Sequence, residues 1–380
     1  MKRHFLLLII ILIFMAILVV SIKPIIRSIA QKQLENVFVG SEVSIESCSF
    51  SPFRHISLHG VRIKKDGIYH IKLKSADAYY SPSSIIQKNI LKIVLKDADI
   101  EINMPKKSIS HFTQHLSLGS EGLFSMRSLE LLDFQLNFNS KDFNIQAQAS
   151  FGLSPADQTI KFIDVKVSSF DGYKVVGENG SLKINKGQDW GDIAVGSIQY
   201  NKVKIKNING TASMDNNILS IKSLFAQTFD GQITGDGTLT IGRVPQYYAS
   251  LKFLNLNLEK FINDFELDEK FQMTGVLSGH LVLNGNGGDI NILNGDFFMA
   301  EKGGTLIIKD TRFLETIARS SDQPFEILVE SFKNYHYNNG KIKILLKQEN
   351  LILDMVLDGE AGKRDLNIIL HNFKPKKDDL

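Results

Sequence analysis

The chain is poor in the residues that usually carry chemistry. It has one cysteine, Cys48, and one tryptophan, Trp190, in 380 residues. A single thiol allows no internal disulfide and leaves no cysteine cluster to hold a metal. Charge of one sign is also missing: 44 Lys and Arg stand against 41 Asp and Glu, so no basic stripe marks a nucleic-acid partner. The recognisable catalytic and nucleotide motifs fail on inspection. His111 and His115 form H-x-x-x-H, but Phe112 stands where a zinc-protease helix needs Glu. His55 and His59 fall in one predicted strand, too far apart to clamp one ion. Gly285-Asn286-Gly287-Gly288 follows a strand without a helix start behind it, so no helix dipole is available to a phosphate. Gly362-Lys363 has Leu357 where a Walker loop needs its first glycine, and no G-x-S-x-G occurs. No catalytic residue, metal or cofactor is expected, and the chain does not read as an enzyme.

What is present begins with an apolar run. From Phe5 to Ile22 only Ser21 is not apolar. At about 1.5 Å per residue this run spans roughly 27 Å, close to one hydrocarbon core. It exceeds a usual signal-peptide core, and no small-x-small cleavage site follows Val20, so an uncleaved anchor is expected. Basic residues flank both sides (Lys2 and Arg3 before; Lys23, Arg27 and Lys32 after), so they do not decide orientation. A short basic tail before a long span reads as a signal-anchor, which puts residues 1–4 in the cytoplasm and residues 40–380 in the periplasm. At the end of the anchor and beyond it, Ile22, Ile25, Ile26, Ile29, Leu34, Val37 and Phe38 fall roughly on one helical stripe over Ile22–Phe38. Two readings of that stripe stand: a helix capping a β-domain core, or a helix lying on the lipid surface.

After residue 40 the pattern is β. Phe is abundant, 25 residues, and suits a large apolar interior because it needs no hydrogen-bond partner. Turn-like pairs precede alternating apolar residues at Asn179-Gly180, Asp236-Gly237, Ser278-Gly279, Gly303-Gly304 and Asn339-Gly340. Alternation also marks Val43–Cys48, Ile56–Ile63, Ile93–Ile102, Leu129–Phe138, Phe143–Phe151, Ile160–Val167, Tyr200–Ile208, Ile218–Leu224, Tyr248–Leu256, Leu351–Leu357 and Leu366–Leu370. The spacing predicts a long antiparallel meander of about 20 strands with one apolar face. Helical spacing is confined to Ser83–Asn89, Leu256–Phe265, Thr311–Ala318 and Phe325–Phe332, and Lys374–Leu380 reads as a disordered tail. About 20 strands at 4.8 Å would extend roughly 95 Å, so the sheet must close, stack or bend into a trough.

Several stretches resemble AsmA-like proteins of Gram-negative envelopes. They include Leu34-Glu-Asn-Val-Phe-Val-Gly40, Ala78-Tyr-Tyr80-Ser-Pro, Ile93-Val-Leu-Lys-Asp97, Phe229-Asp-Gly231-Gln-Ile-Thr-Gly235 and Leu254-Asn-Leu-Asn-Leu258. The C-terminal part is similar to the YdbH branch: Gly303-Gly304-Thr-Leu, two helices, then Phe332-Lys-Asn-Tyr335-His336-Tyr337 and a closing pair of strands. The resemblance implies a mainly β fold: an N-terminal transmembrane helix, then a long twisted antiparallel β-groove with a few short helices. The expected divisions are the anchor at 5–22, the amphipathic helix at 23–39, the groove at 40–300 and a YdbH-like region at 301–373. The implied function is transport of phospholipid between inner and outer membranes, with acyl chains held in the groove. The implied partners are phospholipid, the inner membrane, and an outer-membrane or periplasmic protein that completes the bridge.

Residues expected to line the groove are Ile163, Val165 and Val167; Ala249, Leu251 and Phe253; Ile342, Ile344 and Leu346; and Leu351, Leu353, Met355 and Leu357. Their opposite faces carry Asp164, Lys166, Ser250, Lys252, Lys341, Lys343, Lys347 and Asp354. Ile22, Ile25, Ile26, Ile29 and Leu34 are the expected membrane-surface residues. An ordinary dry core would show the same alternation. An envelope-assembly factor and a tethered structural β-protein stand as alternatives.

Overall fold

Val, Ile, Leu and Phe alternate with Lys, Asp, Asn and Ser through most of the chain, the period-two pattern of strands buried on one face. The computed structural model describes residues 23–51, 54–87, 89–104, 125–140, 143–155, 157–169, 174–185, 189–215, 217–240, 244–269, 271–287, 289–299, 303–309, 325–347 and 350–370. The apolar run 5–22, His111 and His115, Thr311–Ala318 and the 374–380 tail lie outside the described residues. Among the described residues no helix is long and apolar enough to cross a membrane. The chain divides into two units, Met1–Gln188 and Asp189–Leu380.

In the first unit a helix over 23–37, α1, leads into β1 (Glu42–Ser51), β2 (His55–Lys65) and β3 (Tyr69–Tyr79). Helix α2 (Pro82–Ile86), β4 (Asn89–Ile90), β5 (Lys92–Met104), β6 (Ser125–Met126), β7 (Leu129–Ser140), β8 (Phe143–Leu153), β9 (Asp157–Ser169) and β10 (Lys174–Asn185) follow. The long strands pair in chain order, β1–β2–β3–β5–β7–β8–β9–β10. The expected all-antiparallel meander is corrected at one place: β5 and β7 are parallel, as are the short β4 and β6. Residues 105–128 separate β5 from β7, enough chain for a crossover, whereas a tight hairpin would force an antiparallel pair.

The alternation also slips by one inside these strands, for a definite backbone reason. Gly60 in β2, Asp97 in β5 and Asp133 in β7 take φ of 60°, 49° and 52°. Asn179 in β10 does the same at 53°. These are residue types that tolerate the left-handed region. The pairing skips the level of Gly60, Asp97 and Asp133 while the register on either side is unchanged from β1 to β7, so these strands leave alternation together and their apolar residues change parity there; among them only β7 gains a residue on its β8 neighbour. In β5, Ile93 and Leu95 are followed by Ala98, Ile100 and Ile102; in β7, Leu129 and Leu131 are followed by Phe134, Leu136 and Phe138. Parallel pairing sets Lys96 beside Leu132 and Asp99 beside Gln135, which brings Asp97 level with Asp133. Lys74 Nζ on β3 reaches Asp97 Oδ2 at 2.9 Å. The slips therefore form a line across the sheet, and each bends its strand and sharpens the twist.

The second unit contains β11 (Gly191–Tyr200), β12 (Val203–Asp215), β13 (Ile218–Thr228), β14 (Gly231–Thr240), β15 (Gln246–Asn257), α3 (Leu258–Asp264), β16 (Phe271–Met273), β17 (Val276–Asn286) and β18 (Asp289–Met299). After these come β19 (Gly304–Ile308), α4 (Phe325–Phe332), β20 (Tyr335–Tyr337), β21 (Asn339–Lys347), β22 (Asn350–Gly359) and β23 (Gly362–Leu370). The main sheet pairs antiparallel in the order β11–β12–β13–β14–β15–β17–β18–β21–β22–β23. A separate small sheet pairs β16 with β19 and β19 with β20. The predicted strand Tyr200–Ile208 is two strands, since Tyr200 ends β11 and a turn at Asn201–Lys202 separates it from β12.

Four of the five turn-like pairs are not turns, and Asn339-Gly340 opens strand β21. Asn179-Gly180, Asp236-Gly237 and Ser278-Gly279 sit inside β10, β14 and β17. Close approach explains two of these glycines. A Cβ on Gly180 would stand 1.8 Å from Phe162 Cζ, and one on Gly279 would stand 2.4 Å from both Phe297 Cδ1 and the Asp296 carbonyl oxygen. Glycine here is the seat for a phenyl ring on the neighbouring strand.

Candidate functional site

Register in the second unit sorts apolar and polar residues into alternate rows across the strands. Gly235, Leu251, Leu281, Gly295, Ile344 and Leu353 are successive partners from β14 to β22. One step along, Ile233, Phe253, Gly279, Phe297, Ile342, Met355 and Leu366 form a second row on the same face. Between them, on the opposite face, lies a fully polar row: Lys252, His280, Asp296, Lys343, Asp354 and Asn367. Directly opposed residues share a face. Over these rows the front of the sheet is apolar from β14 to β23 and the row behind it is polar; the next row on the back brings Val282, Leu345, Ile352 and Ile369 to that side as well.

The apolar face is sealed at one end. Asn257 starts α3, its side-chain oxygen accepting from Lys260 N at 3.1 Å, and Leu258 and Ile262 turn inward one helical turn apart. They join Met273, Leu306, Phe332, Tyr335 and Tyr337 over Leu277, Phe297, Met299, Met355, Leu357 and Leu366. The polar tips in this cap are satisfied. Tyr335 OH donates to the Gly362 carbonyl at 2.6 Å, and Tyr337 OH donates to the Thr274 carbonyl. Burial pushes the Tyr337 phenol well above its ordinary pKa, so it stays a neutral donor.

Away from the cap, Leu239, Ala249, Leu251, Leu283, Leu293, Leu346 and Leu353 remain partly exposed. The groove candidates thus fall into two groups. Ala249, Leu251, Leu346 and Leu353 lie on the part-exposed region, while Phe253, Ile342 and Ile344 pack against its border with the cap. Met355 and Leu357 lie within the capped core, Leu357 with no exposure at all. Leu351 is buried at the other end of β22. Leu281, Leu283 and Phe297 share the face without having been singled out, although the alternation of Leu281-Val282-Leu283 marks it.

In the first unit Val165 lies opposite Ala147 and Gly177, and Val167 opposite Ile145 and Val175. Ile163 does not continue that set. The β8–β9 register jumps from Gln148–Asp164 to Ala149–Phe162, so Ile163 is the extra residue of a bulge and is 54% exposed. Phe162 takes its place beside Gly177 and Gly180. At the other edge of this unit, Ala30 and Leu34 of α1, with Phe38 just beyond it, pack on Val43, Ile45, Val61 and Ile63. Ile25 and Ile29 are exposed, Ile26 is partly exposed, and Ile22 lies outside the described residues.

Charge pairs keep to the polar faces. Lys72 faces Asp99 and Lys74 faces Asp97 between β3 and β5. Asp77 is the buried exception. Burial opposes its charge, but hydrogen bonds from Ser57 and Lys96, with the Lys96 ammonium 3.0 Å away, outweigh it and hold the carboxyl below its usual range. Among the described residues no group of three His, Cys, Asp or Glu side chains could hold a metal. His55 stacks near Tyr79, and His59 faces Ser49.

A family model described as YdbH-like, intermembrane phospholipid transport protein YdbH, matches residues 123–359. That covers well over half of the chain. The chain belongs to the YdbH-like family. The match begins just before β6 and ends on the last residue of β22. It therefore includes, except for Leu366, both the apolar rows and the cap of the second unit. No curated protein and no solved structure matches the chain. An apolar face with its polar groups turned to the back offers a surface for hydrocarbon.

Proposed function

We propose that this YdbH-like protein carries phospholipid between the two membranes of a Gram-negative envelope, with acyl chains lying on the apolar faces of its sheets. The observation that carries the reading is the pair of adjacent rows in the second unit. Leu251, Leu281, Ile344 and Leu353 share the apolar side, and Lys252, His280, Lys343 and Asp354 the other. Apolar side chains left partly exposed in a continuous row are the kind of surface that binds hydrocarbon. An acyl chain gains about 0.8 kcal/mol per buried CH₂. About 14 methylenes then amount to roughly 11 kcal/mol, enough to bring a chain across an aqueous gap without a catalytic group.

In this reading the run Phe5–Ile22 tethers the protein in the inner membrane and residues 40–380 lie in the periplasm. A periplasmic or outer-membrane partner completes the path. The test is native mass spectrometry of the full chain, extracted and purified in mild detergent. Co-purified phospholipid in defined stoichiometry is the expected result. A lipid-free protein would favour an assembly-factor or purely structural role.

A further inference from the structure

The helix α1 carries two apolar faces with different partners. Its inner face, Ala30 and Leu34, is committed to the sheet core of Val43, Ile45, Val61 and Ile63. Ile25 lies half a turn from Leu34 at 3.6 residues per turn, and both Ile25 and Ile29 are 57% exposed. The outer stripe is confined to the first two turns; farther along, that side of the helix carries Lys32, Gln33 and Asn36, all exposed. An apolar patch that ends as the helix leaves an adjoining apolar run points to a boundary between hydrocarbon and water.

We propose that the outer face of the first two turns of α1 rests on the headgroup layer of an anionic bilayer, with Ile25 and Ile29 inserted and Lys32, beside them, taking a lipid phosphate. This rests on the tethered reading above and adds the occupant of the outer stripe. Three arguments select a bilayer over a protein. The run Phe5–Ile22 ends one residue before the helix begins, so α1 starts at a membrane surface. Lys32, which borders the stripe, is exposed and among the described residues has no ion pair, while Lys23 and Arg27 project roughly 140–180° around the helix from it. The third argument is distance. On a straight helix Ile25 and Ile29 lie about 4.5 and about 10 Å beyond Ile22. A headgroup layer is only about 5–7 Å deep on each side, so a straight exit strands Ile29 in water. In a helix continuous with the run Phe5–Ile22, Pro24 would be interior, where its missing N–H and ring clash produce a bend that can return Ile29 to the interface.

The experiment uses the full chain with Cys48→Ser, reconstituted in vesicles of phosphatidylethanolamine and phosphatidylglycerol. Spin labels are placed singly at Ile25→Cys, Ile29→Cys, Gln33→Cys and Asn36→Cys, and collision with oxygen and with a water-soluble nickel chelate is measured. The expected ratio of oxygen to nickel accessibility is severalfold higher at 25 and 29 than at 33 and 36. Equal ratios at all four positions would overturn the proposal. Replacing phosphatidylglycerol with phosphatidylcholine should move the labels at 25 and 29 toward water. No change would overturn the role given to Lys32. These readouts report membrane contact and not lipid load, so they separate failure of this inference from failure of the transport reading.

Discussion

Two leucines on one strand and one face should respond to the same substitution in opposite ways. Leu353 and Leu357 both lie on the apolar side of β22, about 13 Å apart along the strand. Leu357 has no exposure and packs in the cap, where its Cδ2 lies within 2.7 Å of the position a Cβ on Gly340 would take. Truncating such a leucine costs about 2–5 kcal/mol, and an unpaired buried carboxylate adds several more. Total stability is about 5–15 kcal/mol, so Leu357→Asp should unfold the second unit. Leu353 is partly exposed beside Ile344, so the carboxylate of Leu353→Asp keeps its water. Its stability should fall by about 1 kcal/mol, roughly 2–4 °C in Tm. Lipid is affected differently, because an acyl chain seated there must strip the carboxylate. A cost of about 1.4 kcal/mol or more lowers occupancy at least about tenfold. The assay is a thermal melt alongside phospholipid quantified per protein. If Leu353→Asp unfolds the protein as Leu357→Asp does, the face at Leu353 is sealed core and the groove reasoning is refuted.

Other outcomes follow from local geometry. Gly279→Val puts a side chain against the Asp296 carbonyl and the Phe297 ring, and should cost about 1–3 kcal/mol or more, read as a lower Tm; an unchanged Tm would contradict the packing assigned there. Asp77 has a depressed folded pKa, so its contribution to stability is complete above the ordinary carboxylate value and is lost as pH falls through the lower folded value. Denaturation below about pH 4 should therefore show an acid-sensitive component that Lys96→Met reduces, and an identical acid profile in that variant would exclude the pair as its source. A reporter enzyme fused after Leu380 should be active only if it functions in the periplasm; activity of a cytoplasm-only reporter would reverse the assigned orientation.

The sequence was a good guide wherever one residue type did one job. Alternation located most long strands, and the Phe325–Phe332 and Leu258–Asp264 helices fell where apolar spacing placed them. It misled where a residue type has two uses. Asn-Gly and Asp-Gly pairs favour hairpin turns, but Asn179-Gly180 and Asp236-Gly237 sit within strands, where a neighbouring side chain or main chain needs the space. Strict alternation failed at Ile163 because a bulge inserts it, and only the β8–β9 register reveals that. The parallel β5–β7 pair was not legible, since direction depends on the long connection and not on the strands. The division of Leu353 from Leu357 was equally hidden. Both alternate perfectly, and their difference comes from a cap built far away in sequence, at α3 and the small sheet.

The central claim is that one face of the second sheet, and not the other, meets phospholipid. Neighbouring residues on one strand give its most direct measurement: a photo-crosslinking amino acid at Leu251 or Leu346, against Lys252 or Lys347 as controls. Illumination in intact cells, followed by mass analysis of the purified protein, reads the adducts. The account predicts phospholipid adducts at Leu251 and Leu346 and none at Lys252 or Lys347. Adducts absent from both faces, or equal on both, would contradict it.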